Sequence, residues 1–281
     1  MNRKEKLITE YLVSPGTLEP ISICQNKLST INASFEGKIC QGVAVMSVNI
    51  PVSFFDDKFE VMAVGHSVQG GDWRIAYEQQ VRMIERLIEN KKIVLDVGCG
   101  PQIPYRKSVQ NTLIGVEYSF HSIAANTLVD LPVCASAAAL PLRDQSADAI
   151  LAVYSVHHMV GTSKKETQNN VMKVLQEFFR VVRPGGSILV IEMAPIEPFG
   201  FFQDLFWDLS KKILGASLDQ FFWTPNRLKK ACSNLKGWKD PQIISFASSW
   251  WECFPPIFSL PWLKIPRFLY PLRPIGYLWQ F

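Results

Sequence analysis

Five acidic and imidazole side chains stand at the ends of apolar runs: Asp96, Glu117, His157, His158 and Glu192. That placement suits ligand binding and proton transfer. An imidazole titrates at about 6.5 when unperturbed, so His157 fits a general base at neutral pH. Both histidines also suit a structural role, bonding loop carbonyls. Tyr154 and Ser155, just before them, add polar groups to the same corner, and Glu192 marks the edge of a second reactant's pocket. Asp96 leads into Gly98-Cys99-Gly100, where bare backbone permits a sharp turn and a close approach by a ligand.

Parallel strands must carry these residues, because ligands in open α/β sheets bind beyond the strands' carboxyl ends. The run Ile93–Val97 reads as a buried strand before the glycine turn. Leu113–Glu117 is a second, ending in a carboxylate placed to accept hydrogen bonds from ribose hydroxyls. A third strand is expected at about Val133–Ser136, a fourth from Asp148 to Ser155 and a fifth from Ser187 to Glu192. A helical pattern over Val171–Val182 separates the last two, with Arg183-Pro-Gly-Gly186 read as its stop and glycine cap. Gly98 and Gly100 also suit tight strand–helix packing. A dinucleotide dehydrogenase would want a third glycine near Ile103, which is absent.

Asp96-Val-Gly98-Cys-Gly100, Gly115-Val-Glu117, Leu140-Pro141, Asp148, His157-His158 and Arg183-Pro-Gly-Gly186 together make residues 93–194 resemble the core of a class I S-adenosylmethionine-dependent methyltransferase, of the broad type-11 and ubiquinone/menaquinone-biosynthesis-like group. The resemblance implies a doubly wound, mostly parallel seven-stranded sheet and S-adenosylmethionine as cofactor. It places Asp96, Gly98, Cys99, Gly100, Glu117, Tyr118, Ser136, Ala137, Tyr154 and Ser155 around that cofactor, and His157 as the candidate catalytic base. Asp96 would orient the turn and the methionine end. Ser136 stands where the group often has an aspartate for the adenine amino group; it can still accept a hydrogen bond. Pro101-Gln102 replaces the usual small residue and stiffens the loop. Trp73 and Tyr77 are candidates to cover the cofactor.

The 281 residues, 48% hydrophobic and 19% charged with a net charge of +4, fit one large domain with a small appendage. Lysines and arginines are scattered, no basic stripe stands out and the Asn-Pro-Pro-Tyr sequence is missing after the fourth strand, so no nucleic-acid partner and no metal are expected. Six cysteines without a Cys-x-x-Cys pair read as a reduced, cytoplasmic protein. No signal-like start and no apolar run of about 18 residues is present.

Residues 1–70 read as short strands and turns, a β-rich appendage. The pattern Tyr11 to Leu18, with Ile50 to Phe55, weakly resembles a metal-free zinc-ribbon-like module. The methyltransferase domain would span 71–281, starting with a helix capped by Asp72 and ending in an antiparallel pair at Ile243–Ala247 and Tyr277–Phe281. Between these lies an aromatic, proline-rich insertion at about 248–275. Three readings of it stand: a lid over an apolar pocket, a peripheral membrane-interface patch with Lys264, Arg267 and Arg273, or extra core and subunit interface. The expected function is methyl transfer to a small, hydrophobic or lipid-like acceptor at oxygen or carbon. The alternative is a catalytically degenerate cofactor-binding subunit that supports a partner protein.

Overall fold

The computed structural model describes residues 2–46, 74–235, 237–246, 251–253, 264–266 and 271–281. In chain order the elements are α1 (Arg3–Tyr11), β1 (Ser22–Cys24), β2 (Lys27–Ser29), β3 (Glu36–Cys40), β4 (Val43–Val45), α2 (Arg74–Ile88), β5 (Ile93–Val97), β6 (Thr112–Glu117), α3 (Phe120–Ala125), β7 (Leu131–Cys134) and β8 (Ala147–Val153). A single 3₁₀ turn (Val156–His158) precedes α4 (Lys164–Val181), β9 (Val182–Pro195), α5 (Glu197–Leu214), α6 (Pro225–Cys232), β10 (Gln242–Ser245), β11 (Trp251–Cys253), β12 (Lys264–Pro266) and β13 (Leu272–Gln280).

Eleven of these strands form one sheet in the order β1-β2-β3-β4-β7-β6-β5-β8-β9-β13-β10. Its last seven strands are the expected sheet. From β7 to β9 the pairs are parallel, and β13 and β10 close the far side antiparallel. The chain reverses direction beside β5, which pairs with β6 on one side and β8 on the other. That is the switch point where such sheets open a crevice. Alternate residues of the central strands face opposite layers. Val94, Leu113 and Leu151 pack with Ile84 and Ile88 of α2 and Ile123 of α3, whereas Leu95, Ile114 and Ile150 pack with Val171, Leu175 and Phe178 of α4. Helices therefore cover both faces, as near-continuous apolar strands require.

Four expectations need correction. The N-terminal segment opens with a helix, α1, held by a capping box: Asn2 Oδ1 accepts from Glu5 N and Glu5 Oε2 accepts from Asn2 N, each at 2.9 Å. Its strands β1–β4 are an antiparallel run joined edge-on to the main sheet through the parallel pair β4–β7. The third strand lies two residues earlier than expected, at Leu131–Cys134, and includes Pro132 between two neighbouring strands. Proline is ordinarily confined to sheet edges, which hid it. Finally, Arg183-Pro-Gly-Gly186 is not a helix cap. Helix α4 ends at Val181 with an extended Val182, and residues 183–186 bulge from the start of β9 as the register jumps from Ala147↔Val182 to Ala149↔Ser187. The bulge holds the chain terminus: Gly185 N donates to Phe281 O at 2.9 Å and Phe281 N to Gly186 O at 3.1 Å.

The C-terminal pair forms as expected, with β13 starting at Leu272. Thr224 caps α6 through Oγ1 to Arg227 N, with Pro225 in the first turn. Asp72, Trp73, the side chain of Tyr77, the Ile50–Phe55 run, the boundary near residue 70 and most of the 248–275 segment, Arg267 included, fall outside the described residues. Arg273 lies in β13, opposite Ala194 of β9.

Candidate active site

Asp96 lies in β5, flanked by Gly115 of β6 and Leu151 of β8, and is only 3% exposed. Burial pushes its pKa up to about 7; the Tyr105 hydroxyl, donating to Oδ2 at 2.5 Å, opposes the shift, and the nearby Glu117 charge adds to it. Tyr105 is raised well above its usual value, first by burial and then by Asp96, so it stays a donor.

The loop after β5 turns on two left-handed glycines, Gly98 (φ 73°) and Gly100 (φ 59°). Their surroundings differ. A Cβ on Gly98 would overlap Ser155 Cβ, so this glycine lets the loop press onto the loop after β8. A Cβ on Gly100 would meet nothing within 4 Å, so open space lies beside it. The sequence left both readings, close packing and ligand approach, open for the pair of glycines. The structure gives close packing to Gly98 and the open approach to Gly100. Cys99 between them is buried, and burial followed by Asp96 and Glu117 raises its thiol pKa well above normal, leaving it a neutral packing group.

Glu117 ends β6 and gathers three backbone amides. Oε2 accepts from Gly100 N at 3.1 Å, and Oε1 from Tyr118 N at 2.7 Å and Ser119 N at 3.1 Å. One carboxylate thus ties the glycine loop to the β6 end. Tyr118 is 38% exposed beside it. Ser119 caps α3 through Oγ to Ser122 N. Ser136 and Ala137 follow β7 next door, where Ala135 N donates to Glu117 O at 3.0 Å. Ser136 Oγ accepts from Ala138 N at 3.2 Å, and Ala137 is buried.

The fourth strand stops at Val153, two residues short of the expected end, so Tyr154 and Ser155 stand in the loop that follows it. Ser155 Oγ donates to Val97 O at 3.0 Å, latching the β8 loop onto β5. Tyr154 has a positive φ of 53°, a conformation that a non-glycine residue holds only when its surroundings demand it. Two bonds make that demand: Tyr154 N to Ile191 O at 2.8 Å and Tyr154 Oη to Gln80 Oε1 at 2.9 Å. The tyrosine ring therefore reaches α2.

His157 sits in the 3₁₀ turn, 7% exposed, with Nδ1 2.6 Å from Glu192 Oε2. The other Glu192 oxygen accepts from Val156 N at 2.6 Å and His157 N at 3.3 Å. Glu192 is itself 2% exposed. It therefore fixes both the backbone and the ring of His157. A carboxylate acceptor at Nδ1 selects the tautomer that leaves the lone pair on Nε2. Phe222 stacks on the ring, with centroids 5.4 Å apart. His158 differs: burial first and then its neighbour His157 lower its pKa to about 3, and its Nδ1 lies 3.2 Å from Asp219 O. It is neutral and structural.

Three contributors escaped the sequence reading. Tyr105 holds Asp96. Asn126 donates from Nδ2 to Gly100 O at 2.9 Å and steadies the second glycine. Gln80 anchors Tyr154, and it carried a usable signal: it is a polar residue four positions before Ile84 and eight before Ile88, on the helix face that is buried. Tyr105 and Asn126 lie in loop and cap positions with no such pattern.

The open side of Gly100, the Glu117 carboxylate and the buried Asp96 meet at the β5 switch point. This arrangement defines an α/β domain built for a nucleotide-type cofactor. Residues 95–190 match the family model described as "Methyltransferase domain". The chain is 28% identical over 112 residues to mouse "Probable tRNA methyltransferase 9B", covering 38% of this chain and 24% of that protein. It is 28% identical over 118 residues to the Arabidopsis thaliana "tRNA (carboxymethyluridine(34)-5-O)-methyltransferase", covering 42% and 28% of the two chains. It spans between a fifth and about a half of the length of the curated relatives it matches. Among solved structures, an Archaeoglobus fulgidus "SAM dependent methyltransferase" superposes with a TM-score of 0.50 at 15% identity, covering 79% of this chain and 99% of that one. A chain from the complex of the Haloferax volcanii Trm112 methyltransferase activator gives 0.50 at 15%, covering 82% and 99%. At that identity these two likenesses carry the fold alone. Residues 95–190 form the core of a class I S-adenosylmethionine-dependent methyltransferase domain. Its cofactor is S-adenosylmethionine.

Proposed function

We propose that this chain methylates a small, hydrophobic or lipid-like acceptor at a hydroxyl oxygen, with His157 as the base. The observation that carries this reading is the buried His157–Glu192 pair with Phe222 stacked against the ring. An oxygen acceptor must lose a proton, and an apolar one needs an apolar wall.

Asp96, Gly100, Glu117, Ser136 and Tyr118 are the residues that would hold the cofactor, and their donors and acceptors fit it: a carboxylate at the β6 end for hydroxyls, open backbone at Gly100, and a buried acid at Asp96. When bound, S-adenosylmethionine supplies a methyl group already activated on a sulfonium. Nε2 of His157 accepts the acceptor's hydroxyl proton. Glu192 then faces an imidazolium at 2.6 Å, a charge pair that offsets the cost of creating a buried cation. His158, with its pKa near 3, stays neutral while His157 charges. Phe222 shields the ring from water.

A second reading rests on a separate observation, the relatives named as tRNA methyltransferases. One experiment separates the two. Protein incubated with methyl-labelled cofactor and a cell extract is partitioned into organic, aqueous and RNA fractions. Label in the organic fraction, lost in His157→Gln with cofactor affinity retained, is the expected result. Label confined to RNA selects the second reading. Cofactor binding with no transfer to any fraction leaves only a cofactor-binding subunit.

A further inference from the structure

The turn after β7 has little of its own to hold it in place. Ala135-Ser136-Ala137-Ala138-Ala139 run from the end of the strand to Leu140. Alanine methyl groups can pack, but they make no hydrogen bonds. Ser136 closes the turn on itself: its Oγ accepts from Ala138 N and its carbonyl from Ala139 N, each at 3.2 Å. Where the turn sits is therefore decided at its two ends. One end is Ala135, whose N donates to Glu117 O at 3.0 Å. The other is Leu140.

Two side chains near the end of α4 grip Leu140. Glu177 Oε2 accepts from Leu140 N at 2.8 Å, and Arg180 Nη2 donates to Leu140 O at 2.9 Å. Arg180 Nη1 donates to Leu142 O and to Asp144 Oδ1, each at 2.7 Å. Its Nε and Nη2 also donate to Glu177 Oε1 at 2.8 Å and Oε2 at 2.7 Å. Every N–H of the guanidinium is thus engaged, either with residues 140–144 or with the carboxylate that shares the grip. Standing three residues apart, Glu177 and Arg180 occupy one helix face. Each side chain is only 17% exposed, so water competes little for these bonds. Phe178 and Val181 beside them are fully buried, which anchors this end of the helix. The N-terminal segment holds the same stretch further on, with Val13 N donating to Pro141 O at 3.0 Å and Arg143 N to Tyr11 O at 3.1 Å. Leu140 is the nearer anchor to the turn.

We propose that Glu177 and Arg180 are positioning residues for the nucleobase of the cofactor, acting through Leu140 to set where the Ser136–Ala139 turn stands. This rests on the reading of Ser136 as a cofactor contact. A lysine at position 180 would keep the charge, but its compact ammonium cannot reproduce the planar fork that spans Leu140, Leu142 and Glu177.

The full chain is titrated in a calorimeter with S-adenosylhomocysteine and with S-inosylhomocysteine, which carry an amino group and a carbonyl oxygen at the same position of the base. Affinities are expressed per folded molecule, with the folded fraction taken from urea unfolding. The wild type should prefer the adenine form, because a hydroxyl and carbonyls accept from an amino group and the carbonyls have nothing to donate to an oxygen. Arg180→Lys should bind S-adenosylhomocysteine roughly tenfold more weakly and lose most of that preference. Glu177→Gln should do the same to a smaller extent, and it decides the matter should Arg180→Lys fail to fold. Gly200→Ala is the control for lost stability: its Cβ would crowd the Arg227 guanidinium and strain α5 against α6, and the preference should survive. A wild type indifferent to the base overturns the reading of Ser136, and the proposal falls with it. A discriminating wild type whose preference persists in Arg180→Lys and Glu177→Gln overturns the proposal alone. An equal loss in Gly200→Ala would mark general loosening of the fold and overturn it as well.

Discussion

Asp96→Asn isolates the most strongly shifted carboxyl of the site. A carboxyl free in the unfolded chain titrates near 3.8, and Asp96 in the fold titrates at about 7. Between those values the folded chain holds a proton that the unfolded chain has released. The wild type therefore loses stability from this group as pH rises from about 4 to about 7, and the loss is complete above that. At 1.36 kcal/mol per pKa unit the whole effect is about 4 kcal/mol. Asparagine cannot titrate, and its Oδ1 still accepts from Tyr105, so the variant lacks this dependence. Surface carboxylates such as Glu19, Glu166 and Asp240, whose pKa values are lowered, act with the opposite sign, and they cancel in the difference between the two proteins. The measurement is urea unfolding of both proteins at several pH values from 4 to 8. The stability of wild type minus that of Asp96→Asn should fall steadily up to about pH 7 and then level. A flat difference would refute the reasoning, because it would mean that Asp96 is ionised throughout despite its burial.

Tyr105→Phe removes the hydroxyl that restrains this shift, so the levelling point should move roughly one to two pH units higher in the same titration, as expected from about 1.5–3 kcal/mol for a hydrogen bond to a charged group. Gly100→Ala fills space that the protein leaves empty and holds a positive φ at a cost of about 1 kcal/mol; calorimetry should show weakened S-adenosylmethionine binding with little change in melting temperature. Gly186→Ala brings a Cβ within 2.6 Å of Val182 Cγ2 and 2.8 Å of Arg183 O, so it should destabilise by about 2–4 kcal/mol in urea unfolding and leave cofactor affinity per folded molecule unchanged. His157→Gln should cut turnover by about 10²–10⁴-fold and hold cofactor affinity constant.

The sequence disclosed what is periodic or punctuated. Strands β5, β6, β8 and β9 announce themselves as apolar runs ending in Asp96, Glu117 or polar corners, and their alternation with helices fixes the topology. Thr224-Pro225 announces α6. What stayed hidden depends on partners distant in the chain. Pro132 sits in a buried strand, paired with Gly115 of β6 one residue before β4 joins at Val133, a fact no local rule conveys. Residues 183–186 read as a helix cap until Phe281 appears as their partner. Gly98 and Gly100 look alike in sequence, yet only the position of Ser155 separates the packed glycine from the open one. Glu192 was placed at the pocket edge, but its grip on Nδ1 of His157 required two strands and a turn to be set side by side. Helix α1 was the readable miss: Asn2 and Glu5 spell its start.

The N-terminal strands also settle where the great sheet stops. Without β4, the backbone amides and carbonyls along one flank of β7 would lie bare, inviting intermolecular templating. The meander moves that vulnerable border outward to β1, a three-residue strand carrying a serine at its start. Trimming the first 46 residues should therefore yield a polypeptide that aggregates before it misfolds, its crevice-forming strands still paired to one another.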